Sequence, residues 1–137
     1  MTRSVVLDST ALDSLARTRT PAQTQVRSAI RAAIKRHRDV IVPAVVLAEL
    51  YRGPRHSQVV DSCLSRDTGI KVRDTDRGLA KLVGGVLHAA KASSADLADA
   101  HVVACAVETG GGVVVTGDHD ELQRLAATYP NVMVTSI

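Results

Sequence analysis

The sequence predicts an α/β protein built on a doubly wound, five-stranded parallel sheet sandwiched by helices. Two observations carry that expectation. Five short runs rich in Val and Ile recur along the chain, and stretches with helical spacing lie between them. The runs are continuously apolar rather than alternating, as in the strands of a parallel sheet covered on both faces. At 137 residues the chain can bury one core but is too short for two ordinary ones, so residues 1–137 are expected to form one domain.

The first strand is expected over residues 4–7, where the run SVVL ends at Asp8, and the second over 40–42, followed by Pro43 and a helical pattern. Runs at 70–72, 113–115 and 132–134 complete the five. Helical spacing is read over residues 21–37, 44–51, 59–65, 79–92, 97–108 and 121–127. Gly110, Gly111 and Gly112 mark the end of the fifth of these, where a left-handed cap and a tight turn are expected. Residues 92–95 are small and polar and read as a loop, and the chain carries no internal repeat or low-complexity tract.

A hydrophobic fraction of 45% with 23% charged residues excludes a disordered or fibrous chain. Phe and Trp are absent and Tyr51 and Tyr129 are the only aromatic residues, so the core must come from Val, Leu, Ile and Ala. The same absence argues against nucleic-acid readers that stack bases on aromatic side chains. The net charge of +3 suits a polyanionic partner without requiring one. Its distribution is uneven: no acid lies between Asp13 and Asp39, a window holding Arg17, Arg19, Arg27, Arg31, Lys35, Arg36 and Arg38. A basic flank and an acidic centre are expected. Cys63 and Cys105 are far apart, and Cys105 lies in the apolar run VVACAV, as a buried reduced thiol does. The N-terminal stretch MTRSVVLDST lacks the apolar segment of a signal peptide, and no apolar run approaches the ~20 residues that span a bilayer. A reducing, cytoplasmic compartment is expected.

In open α/β sheets, ligands sit beyond the carboxyl ends of the strands, where the winding reverses. Asp8 directly follows the first strand, and Asp118 comes two residues after Thr116, just past the fourth. If those strands are neighbours at the reversal, the two carboxylates face one another. Glu49 lies in the helical string VVLAEL, between apolar Leu47 and Leu50. Asp99 opens the run DAHVVACAV, in the first turn of a helix, and Asp96 stands one turn earlier on roughly the same face. Taken singly, Asp96, Asp99 and Asp118 could serve helix N-termini, and Glu49 could be a solvated helix position. Jointly they would converge at one end of the sheet. Two carboxylates ~4 Å apart repel by about 4 kcal/mol at an effective dielectric of ~20, so such a cluster needs a cation. Oxygen donors without His or Cys at metal spacing point to Mg²⁺ or Mn²⁺, the ions of phosphoryl chemistry. His101 reads as a hydrogen-bonded structural residue rather than a ligand.

Arg27, Arg31 and Lys35 recur at helical spacing beside Val26, Ile30 and Ile34. They form either the solvated face of an amphipathic helix or a phosphate grip. Arg52, Arg55 and His56 form a second candidate rim after the helix carrying Glu49.

The strings VVLDSTAL, VVLAELYRG, DLADAHVVACA and VVVTGDHDEL, in that order and at these separations, resemble the PIN-domain family, specifically the VapC-type toxins of bacterial toxin–antitoxin pairs. The resemblance spans essentially the whole chain. It implies a PIN-like five-stranded parallel sheet, a Mg²⁺ or Mn²⁺ site formed by Asp8, Glu49, Asp99 and Asp118, and endoribonuclease activity inhibited by a cognate antitoxin. It also implies that the Thr10 hydroxyl orients the acidic site, and that Asp96 either assists Asp99 or replaces it as the third ligand. In the related toxins the region matching the basic helix helps to form the groove that receives the antitoxin, the substrates include transfer and ribosomal RNA, and homodimers are expected. Two rivals remain at this point: a phosphorelay receiver domain, which usually needs adjacent acids after the first strand and a Lys after the last, and a non-catalytic PIN-like RNA-binding protein.

Overall fold

The computed structural model describes residues 3–17, 19–65 and 69–137. Five strands, β1 (Ser4–Leu7), β2 (Val40–Pro43), β3 (Ile70–Arg73), β4 (Gly112–Thr116) and β5 (Val132–Ser136), form one sheet in the order β3-β2-β1-β4-β5. Every pairing is parallel, as expected from the continuous apolar runs. Winding runs outward from β1 to β3, then returns to β4 on the other side of β1, so the reversal lies between β1 and β4. A receiver-like sheet has the order 2-1-3-4-5 instead, and the observed order removes that rival.

Seven α-helices are present among the described residues: α1 (Ser9–Ala16), α2 (Pro21–Lys35), α3 (Ala44–Leu50), α4 (Gly53–Cys63), α5 (Arg77–Ala89), α6 (Leu97–Glu108) and α7 (His119–Ala126). Right-handed crossovers put α1, α2 and α4 together on one side of the sheet and α5, α6 and α7 on the other. Helix α6 lies over the middle of its face, touching β1, β2, β4 and β5. Residues 100–106 are therefore all buried, which is why this helix is apolar all round rather than striped.

Three departures from the sequence expectation have local causes. Helix α1 was not expected; STALDSLA is short, and its N-terminus is secured by the Asp8 carboxylate accepting the Ala11 N–H at 2.9 Å. Helix α4 starts at Gly53 rather than at residue 59, because Pro54 occupies the first turn, where its missing N–H costs nothing. Helix α2 stops at Lys35: His37 takes a left-handed φ of 57°, and the Arg38 N–H donates to Ala33 at 2.8 Å.

The core is aliphatic, with Leu7, Leu12, Leu79, Leu122 and Leu125 its largest fully buried side chains. Cys63 and Cys105 are free, and burial pushes the Cys105 thiol up to about 12. After α6 the left-handed cap falls on Gly110 and Gly111, with φ of 83° and 121°. Gly112 then brings β4 so close to β1 that a Cβ there would lie 2.6 Å from the Ser4 carbonyl oxygen. No helix among the described residues is long and apolar enough to cross a membrane.

Candidate active site

Asp8 sits where β1 ends and α1 begins, only 2% exposed. A buried carboxylate survives only when its oxygens are hydrogen-bonded. Its Oδ1 accepts the Thr10 hydroxyl at 2.7 Å and the Ala11 N–H at 2.9 Å, and its Oδ2 accepts the hydroxyl of fully buried Thr116. A carboxylate has about four lone-pair sites. These three donors leave one, on Oδ2, for anything outside the protein.

The two threonines also fix the segment after β4. The Thr10 Oγ1 accepts the Gly117 N–H at 2.7 Å, and the Thr116 Oγ1 accepts the Asp118 N–H at 2.8 Å. Asp8 and Asp118 are thus joined across the β1–β4 reversal through Thr116. Thr10, for which the resemblance implied an orienting role, is thus hydrogen-bonded to both Asp8 and the Gly117 N–H. Thr116 was missed as a site residue; the signal was a polar residue closing an otherwise apolar strand, immediately before Gly117 and Asp118.

Asp118 is exposed and occupies the N-cap position of α7, yet makes no side-chain capping bond. Asp99 lies half-buried in the first turn of α6. Glu49 is exposed in the last turn of α3, where the helix dipole disfavours an acid, so local helix energetics do not explain it. The Asp99 carboxyl is pushed up to about 6, first by burial and then by the negative charges of Asp8, Glu49, Asp118 and Asp96. All five acids therefore share one electrostatic neighbourhood, fed by the N-termini of α1, α6 and α7.

Among the described residues, Asp8, Glu49, Asp99 and Asp118 are in no ion pair. Asp96 differs: its Oδ2 is 3.1 Å from Nη2 of Arg124. Among the described residues, no three His, Cys, Asp or Glu side chains stand at metal-binding spacing as they are. The donor chemistry fits a hard divalent ion: oxygen only, with negative charge on Asp8, Glu49, Asp99 and Asp118 that no ion pair among the described residues answers. Buried His101 is one turn past Leu97 and donates its Nδ1–H to the Leu97 carbonyl at 2.8 Å, a structural role.

Arg27 and Arg31 are exposed and line a groove of about 560 Å³ walled by α1, α2 and α4. Leu15, Ile30, Ile34 and Val59 supply its apolar wall and Arg17 a further charge. The groove is not lined by any of the four unpaired acids. Val26 and Ile30 are buried as the amphipathic pattern requires, but Ile34 is 49% exposed at this groove. Lys35 lies in the last turn of α2, where the dipole favours it. The Arg52 guanidinium donates to the carbonyls of Ala48 at 2.9 Å and Tyr51 at 2.7 Å, closing the C-terminus of α3. Arg55 and His56 belong to α4 and line a shallow cavity with Arg52.

No curated protein matches the chain in sequence. The fold is similar to one chain of the crystal structure of VapBC2 from Rickettsia felis bound to a DNA fragment from their promoter, with a TM-score of 0.67. The two are 14% identical over 96% of this chain and 97% of that one, so the likeness concerns the fold. The model of the PIN domain matches residues 5–128, which contain every acid of the candidate site. The chain belongs to the PIN domain family.

Proposed function

We propose that this chain is a Mg²⁺- or Mn²⁺-dependent endoribonuclease, the toxin of a VapBC-like toxin–antitoxin pair, acting in the cytoplasm as one domain over residues 1–137. The observation that carries this reading is the gathering of Asp8, Glu49, Asp99 and Asp118 in one electrostatic neighbourhood at the sheet reversal of a PIN-family chain, with none of them in an ion pair among the described residues.

Asp8 and Asp99 would hold the principal cation, with Glu49 and Asp118 completing the set directly or through water. When bound, the ion lowers the pKa of water and neutralises charge developing on the phosphate oxygens. The protein's share is positional. Thr10, Thr116 and the Ala11 N–H lock Asp8 and leave one lone pair of Oδ2 uncommitted. Thr116 orders the backbone that presents Asp118. Rigid presentation of this kind removes reorganisation from the barrier. Hydrolysis in this mode leaves a 5′-phosphate and a 3′-hydroxyl.

Arg27, Arg31 and Lys35 are the candidate phosphate grip, with Arg52 at a second rim. The groove beside α2, apolar at its base and basic at its edge, suits an acidic amphipathic segment of the cognate antitoxin. The similar fold in VapBC2, a toxin–antitoxin complex, supports that partner. A homodimer is part of this reading by analogy with the family. Purified protein incubated with transfer and ribosomal RNA should cleave only with Mg²⁺ or Mn²⁺, giving ends that ligate as 5′-phosphates. Cleavage by Asp8→Asn at the wild-type rate would overturn the assignment.

A further inference from the structure

We propose that Arg124 is a positioning residue that withholds Asp96 from the cation site, so that Asp99 alone supplies the α6 carboxylate; this rests on the metal-site reading above. Asp96 and Asp99 are one helical turn apart and both belong to the acidic neighbourhood. The sequence favours Asp99 as the third ligand, because it directly precedes a small residue and the apolar run, and leaves Asp96 as its alternative. They differ in their partners. Arg124, on α7, places its Nη2 3.1 Å from the Asp96 Oδ2 and 3.0 Å from the Glu121 Oε2. Glu121 is one turn before Arg124 on the same helix, so this pair fixes the guanidinium on the side of α7 that faces Asp96.

The charge on Asp96 is consequently answered locally, whereas Asp99 is in no ion pair among the described residues. A bound cation would compete with the Arg124 guanidinium for the charge of Asp96, whereas Asp99 has no such competitor among the described residues. The arrangement also limits the negative charge available to cations. Releasing Asp96 would add a fifth carboxylate one turn from the site and strengthen divalent binding.

The test is Mn²⁺ binding, followed by electron paramagnetic resonance of free Mn²⁺ at constant ionic strength, in wild type, Arg124→Ala, Asp96→Asn and the double variant. Arg124→Gln, which keeps the aliphatic stem, serves as a second probe of the same change. Wild type should bind Mn²⁺; the Arg124 variants should bind it about 3–10-fold more tightly, as expected for one added charge several ångströms away in partly screened surroundings. Asp96→Asn should stay within about twofold of wild type, and adding Arg124→Ala to it should change nothing further. Two results overturn the proposal while leaving the metal site standing: no tightening on removal of Arg124, or equal tightening with and without Asp96, which would make Arg124 a background charge. Failure of every protein to bind Mn²⁺ would overturn the metal site and this proposal together.

Discussion

The hydroxyl of Thr116 donates to the Asp8 carboxylate while its oxygen accepts the Asp118 N–H, so one side chain at the end of β4 serves both acids that flank the sheet reversal. Thr116 is fully buried and Asp8 nearly so. Thr116→Val keeps the shape and removes both bonds. It is expected to cost about 1–3 kcal/mol, because a buried charged oxygen and an N–H lose their partners. Urea unfolding of the metal-free protein measures this, and a change below about 0.5 kcal/mol would mean the bonds are dispensable.

The raised Asp99 carboxyl has a pH signature. Its folded value of about 6 lies above the unfolded value of roughly 3.9, so the folded state binds this proton more tightly. Ionised Asp99 therefore destabilises the metal-free fold above pH ~6, and stability through this group rises as pH falls from about 7 towards 4. After allowance for partial exposure the effect is roughly 1–2 kcal/mol. Asp99→Asn should stabilise the metal-free protein by that amount at pH 8 and by almost nothing near pH 4. Thermal unfolding across this range checks the sign.

The close approach of β1 and β4, whose carboxyl ends lead to Asp8 and Asp118, depends on Gly112 at its start. A Cβ there would lie 2.6 Å from the Ser4 carbonyl oxygen and 2.7 Å from its Oγ. Gly112→Ala must push β4 away from β1 at the Ser4 end of the pair. A loss of about 2–4 kcal/mol is expected, from a steric conflict with backbone that cannot swing away. Denaturant midpoints for this variant and for Gly84→Ala, where nothing lies within 4 Å, give the contrast.

Arg27 and Arg31 separate two uses of one groove. If they contact RNA phosphates, Arg27→Gln and Arg31→Gln should each flatten the salt dependence of RNA binding by about 0.7 in log–log slope. An unchanged slope with weakened antitoxin binding would assign the groove to the protein partner alone. Affinity measured from 50 to 300 mM salt decides it.

The strands were legible because a parallel sheet buried on both faces forces unbroken Val-rich runs, and each falls within two residues of its expected place. Helix α1 was not, because eight residues make a marginal helix whose stability comes from packing on α2 and α4 and from the Asp8 cap. Gly53 and Pro54 open α4, whose start was expected only at residue 59. Asp8, Glu49, Asp99 and Asp118 could be picked out by position relative to strands and helices. Thr116 left only a weak local signal, a polar residue closing an apolar strand, and nothing local revealed Arg124, whose bond to Asp96 spans 28 positions. Arg52 looked like a free cation, but its guanidinium is engaged by α3 carbonyls.

The central claim is that four separated carboxylates act as one cation-dependent cleavage site. Its most direct test is the rate of RNA cleavage by the purified chain, titrated with Mg²⁺ after chelation, for wild type, Asp8→Asn and Asp99→Asn. Cleavage should be absent in chelator, return with added Mg²⁺ in wild type, and fall at least about 100-fold in both variants, the scale expected when a positioned charge in a catalytic site is lost. Undiminished cleavage in chelator, or by either variant, would contradict it.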